Sequence, residues 1–115
     1  MKSPWIQTTL EAIIEKNGQD TSIVDVGDAI GITDYFVITT GRNSRQVRAL
    51  VEEIERLIKK GNGPSPKRME GNQDYKWVLM DYGDFIVHVF DSKEHEYYQL
   101  DKLWSDMPTE KLIES

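Results

Sequence analysis

The chain has 115 residues, enough for one domain with a buried interior and no covalent staples. It has no cysteine, which excludes disulfides and thiolate metal sites and suits a reducing compartment. Twenty acidic residues against fourteen basic ones give a formal charge of -6, which disfavours nucleic-acid binding and favours encounter with a basic protein surface.

Ser3-Pro4 is a helix-start signal, since serine caps free amides and proline suits the first helical position. Ile6, Leu10, Ile13 and Ile14 follow at helical spacing, and Asn17-Gly18 closes the segment. The opening residues carry no long apolar run and no arginine-rich presequence, so no signal peptide, transit peptide or membrane span is expected, and the location expected is cytoplasmic. Ser22 to Val26 reads as a short strand with alternating apolar positions. Gly27 to Asp34 is a connection with room for one helical turn, and Tyr35 to Thr40 is a strand apolar enough to be buried on both faces.

Asn43 to Lys60 is the clearest helix. Asn43 or Ser44 caps it, and Gln46 stands in capping-box spacing to Asn43. Val47, Leu50, Val51, Ile54, Leu57 and Ile58 form one apolar stripe, and Glu52, Glu53 and Glu55 are expected on the solvated side. The run Gly61 to Pro66 is an exposed loop. Tyr75 to Met80 alternates as a strand, with Tyr75, Trp77 and Leu79 on one face and Val78 and Met80 on the other. A tight connection, Asp81 to Asp84, leads into a second strand, Phe85 to Phe90, and the two form an antiparallel hairpin. Asp91 opens a last helix, with Glu94 in capping-box spacing, that carries Tyr97, Tyr98, Leu100, Leu103 and Trp104 and ends at Asp106-Met107-Pro108. The tail beyond it is expected to be loosely held or a short helical turn. This order predicts a single α/β domain, with a core over about residues 4–108: a mixed β-sheet covered by α-helices and containing a crossover through the central helix.

Reactive chemistry finds little support. Asp81, Asp84 and His88 could be read as metal ligands, but aspartates at a turn bond their own backbone, His88 alternates with Ile86 and Phe90 as a sheet histidine does, and no compact ligand motif is present. Gly41-Arg42-Asn43-Ser44 joins a strand to a helix start, a geometry that can hold phosphate, yet the glycine-rich phosphate motifs are absent. No nucleophile elbow occurs, and the two histidines, His88 and His95, have no cysteine to activate. Aromatic residues crowd the last third of the chain, where Asp81, Asp84, Glu96 and Asp101 lie among them. Some of these rings are expected in the core, which a sheet under helices requires, and the others, beside acidic side chains, favour a protein-binding face over a reactive pocket.

Four stretches carry a resemblance to the ribosomal silencing factor (Iojap) family. They are Asp34 to Ile38 running into Gly41 and Arg45-Gln46-Val47; Pro66 with Arg68, Glu70 and Gly71; Trp77 to Asp84 with Val87 to Phe90; and Tyr98, Leu100, Leu103 and Trp104 closing at Pro108. The resemblance implies a nucleotidyltransferase-like fold over residues 1–115 without catalytic residues, without a cofactor or metal, and not an enzyme. The carboxylate pair that such enzymes use for metal is indeed missing after Gly41-Arg42. It further implies binding to the large ribosomal subunit through its protein fourteen, which blocks joining of the small subunit and represses translation when nutrients are scarce. Homodimers are part of the same implication. Carried over position by position, the partner-binding residues are Trp77, Leu79, Asp81, Tyr82 and Asp84, with His88, Tyr98 and Trp104. Two positions depart from the family pattern: Asn43 where serine is frequent, and His95 where arginine is common. The histidine would make any contact there pH-dependent.

Overall fold

The helix expected at the start of the chain forms as α1 (Pro4–Glu15), where the Trp5 amide donates to the Ser3 hydroxyl at 3.2 Å and Pro4 occupies the first turn. The structure, a computed structural model, describes residues 3–27, 33–93 and the backbone of 109–113. Ile6, Ala12 and Ile13 of α1 are buried, whereas Ile14 is 63% exposed although it shares their spacing. The helix then stops in a Schellman motif. Asn17 adopts a left-handed φ of 60°, and the amides of Asn17 and Gly18 donate to the Ile14 and Ile13 carbonyls.

β1 (Gln19–Asp25) starts three residues earlier than expected. A bulge between Gln19 and Ser22, with Asp20 at φ 50°, disguises its alternation in the sequence. β2 (Tyr35–Gly41) is buried from Phe36 onward, as its near-continuous apolarity requires. α2 (Ser44–Lys60) is capped by Asn43, whose side-chain oxygen accepts from the Gln46 amide at 3.0 Å. It ends as α1 does, with Asn62 at φ 66° and the Gly63 amide on the Ile58 carbonyl.

Two readings of α2 change. Of the three glutamates expected in solvent, only Glu52 is fully exposed. Glu53 is buried and takes a two-pronged ion pair from Arg56 at 2.8 and 2.9 Å, which holds its carboxyl below the usual range. Glu55 is half-buried, and desolvation raises its carboxyl, with the Glu52 charge adding to the effect. Gln46 does more than close a cap. Its carbonyl oxygen accepts from the Arg42 amide at 2.7 Å, and its amide nitrogen donates to the Lys16 and Asn17 carbonyls at 3.0 Å. One side chain thereby joins the end of α1 to the start of α2. Gln46→Ala removes all three bonds at a half-buried position and should lower unfolding free energy by about 1–2 kcal/mol in urea titration.

β3 (Arg68–Glu70), β4 (Trp77–Asp81) and β5 (Phe85–Asp91) follow, and β6 (Thr109–Ile113) returns to the sheet. The strand order is β3-β4-β5-β2-β1-β6, with β2 and β5 parallel and every other neighbouring pair antiparallel. The sheet is therefore mixed, and α2 carries the chain from β2 across two strands to β3, as the expected crossover demanded. β3 itself was not foreseen, because three residues with charges at both ends show no apolar alternation. The tail was expected to be loose or helical; instead it pairs with β1. The last helix opens as helical residues 92–93, and the remainder of that expectation, with Tyr98, Trp104 and His95, lies outside the described residues.

The strands present two faces. On one, α1 and α2 pack against Ile23, Val37, Val78, Met80, Phe85, Val87 and Val89. On the other, Val24, Val26, Phe36, Ile38, Ile86 and Phe90 form a second cluster, against which Trp77 and Leu79 pack.

Candidate functional site

Alternation along β4 decides which of the expected binding residues share a surface. Trp77, Leu79 and Asp81 point away from the helices and are half-buried, while Val78 and Met80 are buried toward them. Tyr75 was expected beside Trp77. It stands before the strand at a positive φ of 57° and packs instead on the helix-side core, where the Arg48 guanidinium lies 5.7 Å from its ring centre. The hairpin register sets Trp77 across from Phe90, Leu79 across from His88 and Asp81 across from Ile86. On the outer side, β3 sets Arg68 beside Asp81 and Glu70 beside Leu79, so two exposed charges border the same face.

The Trp77 indole is tilted over Phe90 at 4.9 Å between ring centres, and its N–H donates to Nδ1 of His88 at 3.2 Å. His88 is 5% exposed. The Phe36 ring meets its imidazole edge-on at 4.6 Å, and among the described residues Nε2 has no hydrogen-bond partner. Burial pushes the His88 imidazole down to about 4. The histidine is thus a neutral, buried member of an aromatic layer, placed behind Trp77.

Tyr82 does not join this face. Its ring stacks on Phe85 at 5.1 Å within the helix-side core, and its hydroxyl is buried without a partner. Desolvation raises that hydroxyl well above its ordinary range, with Glu55 adding to the effect. The step from strand to turn is the reason: after Asp81 the chain bends, and Tyr82 continues the inward alternation of Val78 and Met80.

The turn is braced from several sides. The Asp81 carboxylate accepts from the Gly83 amide at 2.9 Å, Thr33 donates its hydroxyl to the Gly83 carbonyl at 2.9 Å, and the Asp34 amide donates to the Asp84 carbonyl. Asp81 accordingly spends one oxygen on its own turn, as turn aspartates do. Asp84 is exposed at the tip. Among the described residues, no three histidine, aspartate or glutamate side chains gather as a metal site would need. No helix among them is long and apolar enough to cross a membrane.

Of the eight expected residues, the structure therefore brings Trp77, Leu79 and Asp81 onto one face, with Asp84 at its end. It places His88 beneath them and Tyr82 on the opposite side. Tyr98 and Trp104 are outside the described residues. Phe36 completes the layer and was missed as a site residue, although the alternation of Phe36 and Ile38 in a strand would have placed both on one face.

Comparison with known proteins sets this face in context. The model of the family described as "Ribosomal silencing factor during starvation" matches residues 2–115. A ribosomal silencing factor from Halalkalibacterium halodurans is 36% identical over 107 residues, covering 93% of this chain and 91% of the relative. A mouse protein named for mitochondrial assembly of the ribosomal large subunit is 28% identical over 102 residues, covering 87% of this chain and 45% of its own length. A crystal structure of a protein from Chromobacterium violaceum superposes with a TM-score of 0.82 at 29% identity, over 88% of this chain and 83% of the other. With a family model matching nearly end to end and a 36% identical relative covering most of both chains, the chain belongs to the ribosomal silencing factor family.

Proposed function

We propose that the protein binds the large ribosomal subunit through its protein fourteen and keeps the small subunit from joining by occupying space, with no bond made or broken. The observation that carries this reading is the half-buried Trp77–Leu79 strip on the face turned away from α1 and α2, bordered by Asp81 and Asp84. A large aromatic anchor within a rim where Asp81, Asp84 and Glu70 outnumber Arg68 suits a basic protein surface, because the aromatic supplies desolvated area and the rim supplies charge-guided encounter. The net charge of -6 acts in the same direction. Membership of a family named for silencing ribosomes, and a mouse relative named for assembly of the large subunit, support the choice of partner.

The expected result is that the protein sediments with isolated large subunits and not with small ones, and that joined ribosomes decline as it is added. Unchanged joining at saturating protein would overturn the steric mechanism. Turnover of nucleotides with magnesium or manganese, abolished by Asp81→Ala or Asp84→Ala, would overturn the non-enzymatic reading. Trp77→Ala should leave the circular dichroism spectrum close to the parent's and weaken large-subunit binding by on the order of 2 kcal/mol. Equal affinity in a folded variant would remove Trp77 from the interface.

A further inference from the structure

We infer that His88 is a positioning residue: its Nδ1, by accepting the indole N–H of Trp77 from a buried seat between Phe36 and Phe90, sets the pose in which Trp77 is offered for docking. The inference rests on the docking reading above and adds a role that burial had seemed to deny His88. At 5% exposure the imidazole cannot anchor a partner itself. It can act through its neighbour, because the 3.2 Å bond from Trp77 is a directional polar contact on a largely apolar ring.

Three features make this an arrangement that fixes direction. Trp77 lies across the hairpin from Phe90 and Leu79 lies across from His88, so the indole reaches diagonally over one residue pair to the imidazole. Phe36 stands edge-on to the imidazole at 4.6 Å and Phe90 lies nearly parallel to it, 6.2 Å away, which leaves the imidazole little freedom to turn. Acceptance at Nδ1 also settles the tautomer, with the proton on Nε2. Among the described residues that Nε2 atom has no partner. A buried donor left unsatisfied is costly, and an apolar residue in its place would avoid the cost. What the histidine supplies in exchange is the acceptor facing Trp77.

A side chain of the right volume without an acceptor should therefore leave the fold standing and loosen the indole. His88→Phe preserves an aromatic ring in the layer, and His88→Asn returns an acceptor at the position of Nδ1. The measurement is the indole N–H signal of Trp77 in nitrogen-15 spectra, assigned by its loss in Trp77→Phe, together with affinity for isolated large subunits. In H88F the signal should move upfield and exchange with solvent faster, and affinity should fall roughly fivefold, the net worth of one hydrogen bond. H88N should restore both toward the parent. H88L serves as a second variant without an acceptor should H88F not fold. An unmoved indole signal, or undiminished affinity, in a folded acceptor-less variant overturns the inference. The docking reading fails by a different result, undiminished affinity in Trp77→Ala.

Discussion

Gly71→Ala should destabilise the protein by on the order of 3 kcal/mol and lower its melting temperature by on the order of 10 °C, although the residue lies in a surface turn. Gly71 adopts a φ of 82°, in the left-handed region, which costs a residue with a β-carbon about 1–2 kcal/mol. The larger difficulty is space. A β-carbon there would be driven into the carbonyl oxygen of Trp77 and would lie 2.9 Å from the carbonyl carbon, and backbone cannot swing aside as a side chain can. Overlap of this kind costs a further 1–3 kcal/mol or about that. The turn after β3 would have to open, carrying with it the first residue of β4, so binding to large subunits should fall as well.

Gly83 provides the control. Its φ is 91°, but a β-carbon would meet only the flexible end of Lys67, with Nζ at 2.9 Å. Gly83→Ala should cost about 1–2 kcal/mol. Asparagine tolerates a left-handed backbone, so Gly83→Asn should recover part of that loss, whereas Gly71→Asn should recover little. Equal losses at the two glycines in urea titration would show that backbone conformation, and not the approach of Trp77, governs Gly71.

The second large effect is acid sensitivity centred on His88. Its imidazole is lowered from 6.5 to about 4 by burial. Below 6.5 the unfolded chain therefore binds a proton that the folded chain refuses, and stability falls as pH falls. The contribution is fully retained above 6.5, declines through the interval and levels off below about 4, by which point the loss is on the order of 3 kcal/mol. Its neighbours Phe36, Leu79, Trp77, Ile86 and Phe90 carry no charge that could offset the penalty. Carboxylates also titrate in this range, so the informative quantity is the difference between the parent and H88F. That difference should shift by about this amount between pH 6.5 and 4, in favour of the variant. Parallel stability curves for the two proteins would mean that His88 is not the group responsible.

Much of the fold was legible because local chemistry agreed with tertiary need. Ser3-Pro4 and Asn43 start the two helices where spacing placed them, and Asn17 and Asn62 end them, since asparagine accepts a left-handed φ more readily than other side chains do. β2 was recognisable because its side chains are buried on both faces of the sheet, Val37 in the helix-side core and Phe36 and Ile38 in the second cluster, so it needs no polar alternation. β3 and β6 were not legible. The first is a three-residue edge strand, Arg68–Glu70, held by pairing with β4 alone, and the second, Thr109–Ile113, becomes a strand only because β1 offers it a free edge.

The site divides along the same line. Residue types and order pointed to Trp77, Leu79, Asp81 and Asp84 as an acidic, aromatic hairpin, because those preferences are properties of side chains. Which face each side chain occupies depends on register, and register is settled by strands distant in sequence. Tyr82 continues the inward alternation of Val78 and Met80, and Tyr75, two before Trp77, is diverted by its own left-handed backbone. Register is why His88, read from the chain as a sheet histidine or one for a partner, lies beneath Trp77: only the pairing of β4 with β5 brings an acceptor to the indole N–H.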